Sequence, residues 1–414
     1  MILFARNLGA SATVLGLITG MMPLLVIFQI PAAKHIPRYG YKRFVYAGWG
    51  VRILFIFVIG LVPLAGSFLS AANQLALLLF LLFAFNLSRG ISSCAWLPWI
   101  TALVPASLRG TYLVRDAACV SFGSFIALLL TAWSLGGNPE NWRFSAVFAF
   151  SGLMGVTSLV FLKRIPEGEL GEPVRSSKTA VPWLEISRYA PFRKLLHLNF
   201  AWALAYGGMN AFTVAFLKAG SSFSEGRIIM LTSVAFLGGL GSYWLVGSRL
   251  DRLGSKPILM VAIGAWFLIG VGWTLSAGKV WEIGVPNVLV LQLFMGLSLS
   301  LVNMANTRLA MTLVPKMGRD HFFALFSVVQ NLALGVAPVL WGVLIDAFGK
   351  RTMVWHGFEL NRFSLFFLLA GGAFLVTLAL CRNLEEPDAV RMEEALKEIF
   401  IQSPQRLWIR LWPR

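Results

Sequence analysis

Long apolar stretches follow one another along this chain with only short polar breaks between them, and that alternation decides its solvent. A helix needs roughly 20 apolar residues to cross a bilayer core. Stretches of about that length run from Ser11 to Ala33, Phe44 to Ala65, Asn73 to Ile100, Tyr112 to Leu135, Phe144 to Leu162, Leu195 to Leu217, Ile228 to Val246, Ile258 to Ala277, Val285 to Thr307, Phe322 to Ile345 and Phe363 to Cys381. Of the 414 residues, 57% are hydrophobic and 13% charged, with a mean hydropathy of +0.75, far outside the range of soluble domains. The expected architecture is an all-α polytopic membrane protein with eleven transmembrane helices and no room for a soluble catalytic domain.

A formal net charge of +17 raises the question of nucleic acid. The Lys and Arg residues sit in the breaks between spans rather than on one soluble face, so membrane topology accounts for them and no nucleic-acid partner is expected. Cys94, Cys119 and Cys381 have no paired spacing, which argues against a disulfide framework or a zinc site. His35, His197, His321 and His356 fall on separate segments, so no metal site and no cofactor is expected.

One long polar break carries Pro166, Pro173, Pro182 and Pro191 amid mixed charge. It divides the chain into an N-terminal bundle of five spans (1–162), a linker (163–194), a C-terminal bundle of six (195–381) and a tail (382–414). Alternate breaks are basic: Lys34, Arg38, Lys42 and Arg43, then Arg109 and Arg115, the linker, Arg249, Arg252 and Lys256, and Arg308, Lys316 and Arg319. These breaks, with the C-terminus, are expected on the cytoplasmic side of the plasma (inner) membrane. The Lys350 to Arg362 loop, moderately basic on the opposite side, is the exception. Ten residues before Ser11 are too few to cross about 30 Å of hydrocarbon at about 1.5 Å per residue. They lack the form of a signal peptide and read as the end of a lost helix. The tail closes on tryptophans between arginines, from Arg406 to Arg414, as suits a surface anchor.

The two halves repeat. Arg38-Tyr39-Gly40-Tyr41-Lys42 after the first span matches Arg252, Gly254 and Lys256 after the seventh; Leu103-Val104-Pro105 with Arg109 and Tyr112 matches Leu313-Val314-Pro315 with Arg319 and Phe322. Gly247, Leu250-Asp251-Arg252-Leu253-Gly254 and Lys256 resemble the signature loop between the second and third helices of each half of a major facilitator superfamily transporter. In the first copy Pro37 stands where the signature has Asp, so the acid's gating contact is not carried to that half. The resemblance spans the chain if its first span is equated with the family's second helix, which leaves most of the family's first helix missing. A gene start placed too far downstream is the favoured explanation, an incomplete transporter the alternative.

The resemblance implies a two-bundle fold with a central cavity lined by spans three, six and nine. Polar residues inside those spans are informative, because hydrocarbon penalises them. Span three offers Asn86, Arg89, Ser92 and Ser93; span six offers Asn199, Trp202, Tyr206 and Asn210, at helical spacing on one face; span nine offers Gln292, Asn303 and Asn306. Arg89 has three readings, a substrate or gating contact, a structural pairing such as with Asp116, and snorkelling of its head to the interface, and Arg52 is a weaker candidate. Asp116 is the acid clearly within a predicted span and hence the candidate for proton coupling; pairing with Arg115 or Arg109 is its structural alternative. Gln330 and Asn331 are further cavity candidates, whereas Gly335, Pro338 and Gly342 suit close helix contact and a kink. Span four has Gly123 alone and lacks the family's glycine-rich antiporter pattern.

The function implied is secondary transport of a small organic solute by alternating access, in a monomer embedded in the lipid bilayer and without enzymatic activity. Arg89 and Arg52 lean towards anionic or polar solutes, while Trp202 and Tyr206 suit stacking on a sugar or apolar ring. A non-transporting membrane sensor that keeps the bundle is the alternative from another class. An integral membrane enzyme would need converging catalytic groups at membrane depth, and none is seen.

Overall fold

The computed structural model describes residues 1–33, 35–104, 109–137, 139–167, 189–246, 253–313, 319–384, 386 and 394. Eleven of its helical segments are long and apolar enough to cross a membrane. A short α1 (Ile2–Asn7) leads to α2 (Ala12–Leu25), which continues through a 3-10 turn into α3 (Gln29–Ala33); α4 (Ile36–Tyr39), α5 (Tyr41–Leu61), α6 (Ala71–Ser93), α7 (Trp96–Leu103), α8 (Arg109–Leu135) and α9 (Asn141–Arg164) complete the first half. The second half holds α10 (Ala190–Tyr206), α11 (Met209–Gly220), α12 (Glu225–Val246), α13 (Ser255–Ala277), α14 (Val285–Leu313), α15 (Arg319–Phe348) and α16 (Arg362–Arg382). Between α15 and α16 lies the one departure among the described residues from the all-helical expectation, a hairpin of β1 (Met353–Trp355) and β2 (Phe358–Leu360). We call the membrane end that carries the 165–189 break the linker end, and the opposite end the far end.

Two expected spans are broken. Span three is α6 and α7, parted at Cys94 and Ala95. Pro98 has no N–H to give to the preceding turn. Ser92, Ser93 and Cys94 turn their side chains back to the carbonyls of Arg89, Gly90 and Ile91, which loosens a helix end further. Span six is α10 and α11, parted where Gly208 takes a φ of +85°. That left-handed conformation suits glycine because it lacks a Cβ.

Lipid tails are as apolar as leucine, so burial of apolar surface does not drive helices together in a bilayer, and close backbone approach matters more. Within the halves α5 packs on α6 and α9, α12 on α14, α13 on α14 and α16, and α10 on α15 and α16. Two seams join the halves, α2 against α15 and α8 against α12. The internal repeat exchanges them: α2 corresponds to α12, and α8 to α15. The first seam is made by backbone. A Cβ on Gly16 would strike the Pro338 carbonyl, one on Gly20 the Gly335 carbonyl, and one on Gly342 the backbone of Ala12 and Thr13. Gly335 and Gly342 thus do what their spacing suggests; Pro338 lies inside an α15 that runs on to Phe348.

Candidate solute cavity

The halves are latched at the far end. Asp346, near the end of α15, accepts hydrogen bonds from the Ala12 N–H at 2.9 Å, the Thr13 N–H at 2.8 Å and the Thr13 hydroxyl at 2.7 Å. The first N–H groups of α2 have no partner within their own helix, and its dipole favours an anion there. At the second seam the Gly226 N–H donates to the Gly136 carbonyl at 3.1 Å. Buried Glu225 gathers Lys218 at 2.7 Å and Asn7 at 2.8 Å, tying α1 and α11 to the start of α12. Towards the linker end α2 and α15 part around a cavity of about 270 Å3, lined by Pro23, Ile27 and Gln29 on one side and by Ser327 and Asn331 on the other, with Cys94 at its edge.

A second cavity, of about 300 Å3, crosses the α8–α12 seam. Ser121 of α8, Asn210 of α11, Thr232 of α12, Trp266 of α13, and Gln292 and Ser300 of α14 give it polar groups in an apolar wall. Trp266 is wholly buried, and among the described residues its indole N–H has no hydrogen-bond acceptor. A small site of this kind, apolar with a few convergent polar groups, is the usual form of a small-molecule pocket.

The expected residues divide accordingly. Asn210 and Gln292 line this cavity. Asn199 and Asn306 instead bond to each other in both directions across α10 and α14, at 3.2 and 2.7 Å, and are buried. Trp202 stacks on Tyr206 with ring centroids 5.4 Å apart, and both abut Trp266 edge-on; their faces are used within the protein. The single face expected for residues 199, 202, 206 and 210 is interrupted by the Gly207–Gly208 break, although the Asn210 amide still reaches the Tyr206 hydroxyl at 3.1 Å. Asn303 is exposed.

In span three, Asn86 is buried and donates to the Leu82 carbonyl. Ser93 accepts from Gln29 at 2.6 Å beside the linker-end cavity. Arg89 is half-buried and, among the described residues, has no ion pair; Asp116 is exposed and does not meet it. Arg52 lies within electrostatic reach of Arg89, over the rings of Trp49 and Phe85 at 5.2 and 5.6 Å. No cluster of metal ligands occurs among the described residues.

Of the signature loops, Gly247, Asp251 and Arg252 lie outside the described residues. Gly40 and Gly254 start α5 and α13 at φ +77° and +85°, and each helix start meets a glutamate that the sequence reading passed over. Glu167 accepts from the Lys42 N–H at 3.0 Å. Glu386 accepts from the Ser255 and Lys256 N–H groups at 2.8 and 2.7 Å and pairs with Arg308 at 2.5 Å. Lys256 reaches the Leu384 carbonyl at 2.7 Å. Arg38, on α4, lies over the neighbouring Tyr39 ring. The signal for both glutamates was an acid just past the last helix of each half, where α5 and α13 present free N–H groups. Asp346 escaped notice because it falls one residue beyond the predicted tenth span.

A family model described as Major Facilitator Superfamily matches residues 1–285 and 223–412. The chain belongs to the major facilitator superfamily. It is similar to an uncharacterised transporter of this superfamily type from Methanocaldococcus jannaschii, 24% identical over 366 residues that cover 85% of this chain and 87% of the relative. Among solved structures it resembles a nucleoside transporter, with a TM-score of 0.69, 11% identity and coverage of 93% and 94% of the two chains. It also resembles the inward-open xylose transporter of E. coli, with a TM-score of 0.68, 14% identity and coverage of 94% and 90%. The superfamily points to transport, and the chain is a multi-pass membrane protein.

Proposed function

We propose that this superfamily member moves a small polar organic solute across the plasma membrane by alternating access, and that the 300 Å3 cavity holds the solute. The observation that carries the reading is the set of polar side chains, the Gln292 and Asn210 amides among them, in the apolar wall of that cavity, which Trp266 also lines with an indole N–H that has no acceptor among the described residues. A buried donor left without a partner costs about 1–3 kcal/mol, and a solute hydroxyl or carbonyl supplies the acceptor. The far-end latches and the linker-end gap describe one of the two states that such a cycle needs. The basic loops support a cytoplasmic linker end, the C-terminus included, and on that reading this state faces inward. Alternation occurs within one chain. Relatives of this fold include nucleoside and xylose transporters, and a hydroxyl-rich solute of that size suits the cavity. Arg89 and Asp116 are assigned to solute approach and to coupling in turn.

The test is counterflow in proteoliposomes, with labelled monosaccharides, nucleosides and small carboxylates offered singly to the native chain. Saturable exchange of one class is expected, with Trp266→Phe or Gln292→Ala raising its half-saturation about ten-fold or more. Exchange of no class by the native chain, or exchange indifferent to both substitutions, would overturn the assignment.

A further inference from the structure

The loop that departs from the charge rule builds a basin. Between α11, α13, α15 and α16 at the far end lies a hollow of about 290 Å3, with Lys279, Lys350, Arg351 and Arg362 in its wall against, among the described residues, a single carboxylate, Glu359. That carboxylate is already committed, to Lys279 at 2.6 Å. The nearby Asp346 is occupied by Ala12 and Thr13. Lys350 and Arg351 are exposed and, among the described residues, have no ion pair.

The hairpin beside the basin is tied down along one strand and faces outward along the other. His356 and Gly357 take φ of +47° and +82°, the left-handed pair that a tight two-residue hairpin turn demands. One strand is fastened to the protein. The Glu359 N–H donates to the Gly278 carbonyl at 2.9 Å, Asn361 donates to the Ala277 carbonyl at 2.7 Å, and Phe358 packs against Gly278. The other strand is bare, with Met353, Val354 and Trp355 exposed by 65%, 74% and 74%. It stands where α15 has ended and α16 has not begun, just beyond the ends of two helices long and apolar enough to cross a membrane. Tryptophan and aliphatic side chains beside unpaired cations suit the headgroup layer, where the ring meets acyl chains and the cations meet phosphate.

We propose that this basin binds the phosphate of an anionic phospholipid in the far leaflet, with β1 lying in the interface beside it. A soluble anion would use the cations and leave the apolar strand in water.

Binding of short-chain phosphatidylglycerol, short-chain phosphatidylcholine and inorganic phosphate to the full chain in detergent tests this. Phosphatidylglycerol is expected to bind saturably and more tightly than phosphatidylcholine. The double variant Lys350→Gln/Arg351→Gln should lose about 30-fold in affinity, the worth of two basic residues at an anionic surface, and Trp355→Ala should also weaken it. Arg143→Gln/Arg227→Gln, which removes far-end cations outside the basin, should leave it unchanged. Equal binding of the two lipids, an equal loss in both double variants, or displacement by inorganic phosphate at matching concentration would each overturn the proposal. The comparison of lipids on the native chain decides the matter even where a variant fails to fold.

Discussion

Asp346 grips Thr13 twice, through its backbone N–H at 2.8 Å and its hydroxyl at 2.7 Å, and in doing so joins the last turn of α15 to the first of α2. The latch crosses between the halves, so its loss weakens the closed far end while leaving each bundle's own packing intact. A charge-assisted bond of this kind is worth about 1.5–3 kcal/mol. Asp346→Asn should therefore shift the balance between states by ten-fold or more. Cys94 borders the linker-end cavity, and in a Cys119→Ser background its reaction with a bulky maleimide should slow in the Asp346→Asn variant. An unchanged rate would remove Asp346 from the gate.

The Asn199 and Asn306 pair should behave as a structural clasp rather than a solute site. Either residue replaced singly by leucine strands a buried amide, at about 1–3 kcal/mol. The double replacement should cost less than the two single ones together. Thermal unfolding of the four proteins checks this; simple additivity would mean that the pair does not act as a unit.

Glu386 and Glu167 cap equivalent helices, yet they are not equal. Glu386 is nearly enclosed, its side chain 2% exposed, and it also holds Arg308, whereas Glu167 is exposed. Removing one partner of a buried pair costs about 3–5 kcal/mol, and an exposed contact under about 1 kcal/mol. Glu386→Gln should lower the unfolding temperature clearly and Glu167→Gln barely. Equal effects would show that burial does not set the difference.

Glu359 gives a dependence on pH. Its hydrogen bond from Lys279 holds the carboxyl below the usual carboxylate range, with Asn361 contributing and desolvation opposing. Because the folded state lowers this group, its stabilisation is complete above the ordinary carboxylate range and is lost as pH falls through the depressed one. Hydrogen exchange at the Glu359 amide, corrected for its intrinsic rate, should keep its protection until strongly acid pH. In Lys279→Gln the loss should move to higher pH; no movement would separate the hairpin from this pair.

The spans were legible because hydrocarbon imposes a length, and α2, α5, α9, α12, α13 and α16 fall where apolar runs lie. What span counting hid were the breaks, since an apolar run reads the same on either side of Gly208 or Cys94. The candidate cavity was legible in part. Gln292 and Asn210 reach the cavity as their positions suggest, but an asparagine pointing inward from span six has no mark in the sequence to say that another asparagine, 107 residues on, already answers it. Trp266 went unnoticed because an indole in an apolar run looks like lipid-facing bulk. Only packing reveals that its N–H is left over.

The α2–α15 seam has a consequence for rates. Where Gly16 and Gly20 meet Gly335 and Pro338, backbone touches backbone. At Gly16 and Gly20 no side chain stands between the two backbones. Such a contact is an axle that turns without a ratchet. In the proposed cycle friction then belongs to the rim, to Asp346 and its counterparts at the ends, and a substitution that slows that cycle without touching the solute is to be sought there rather than along the shaft.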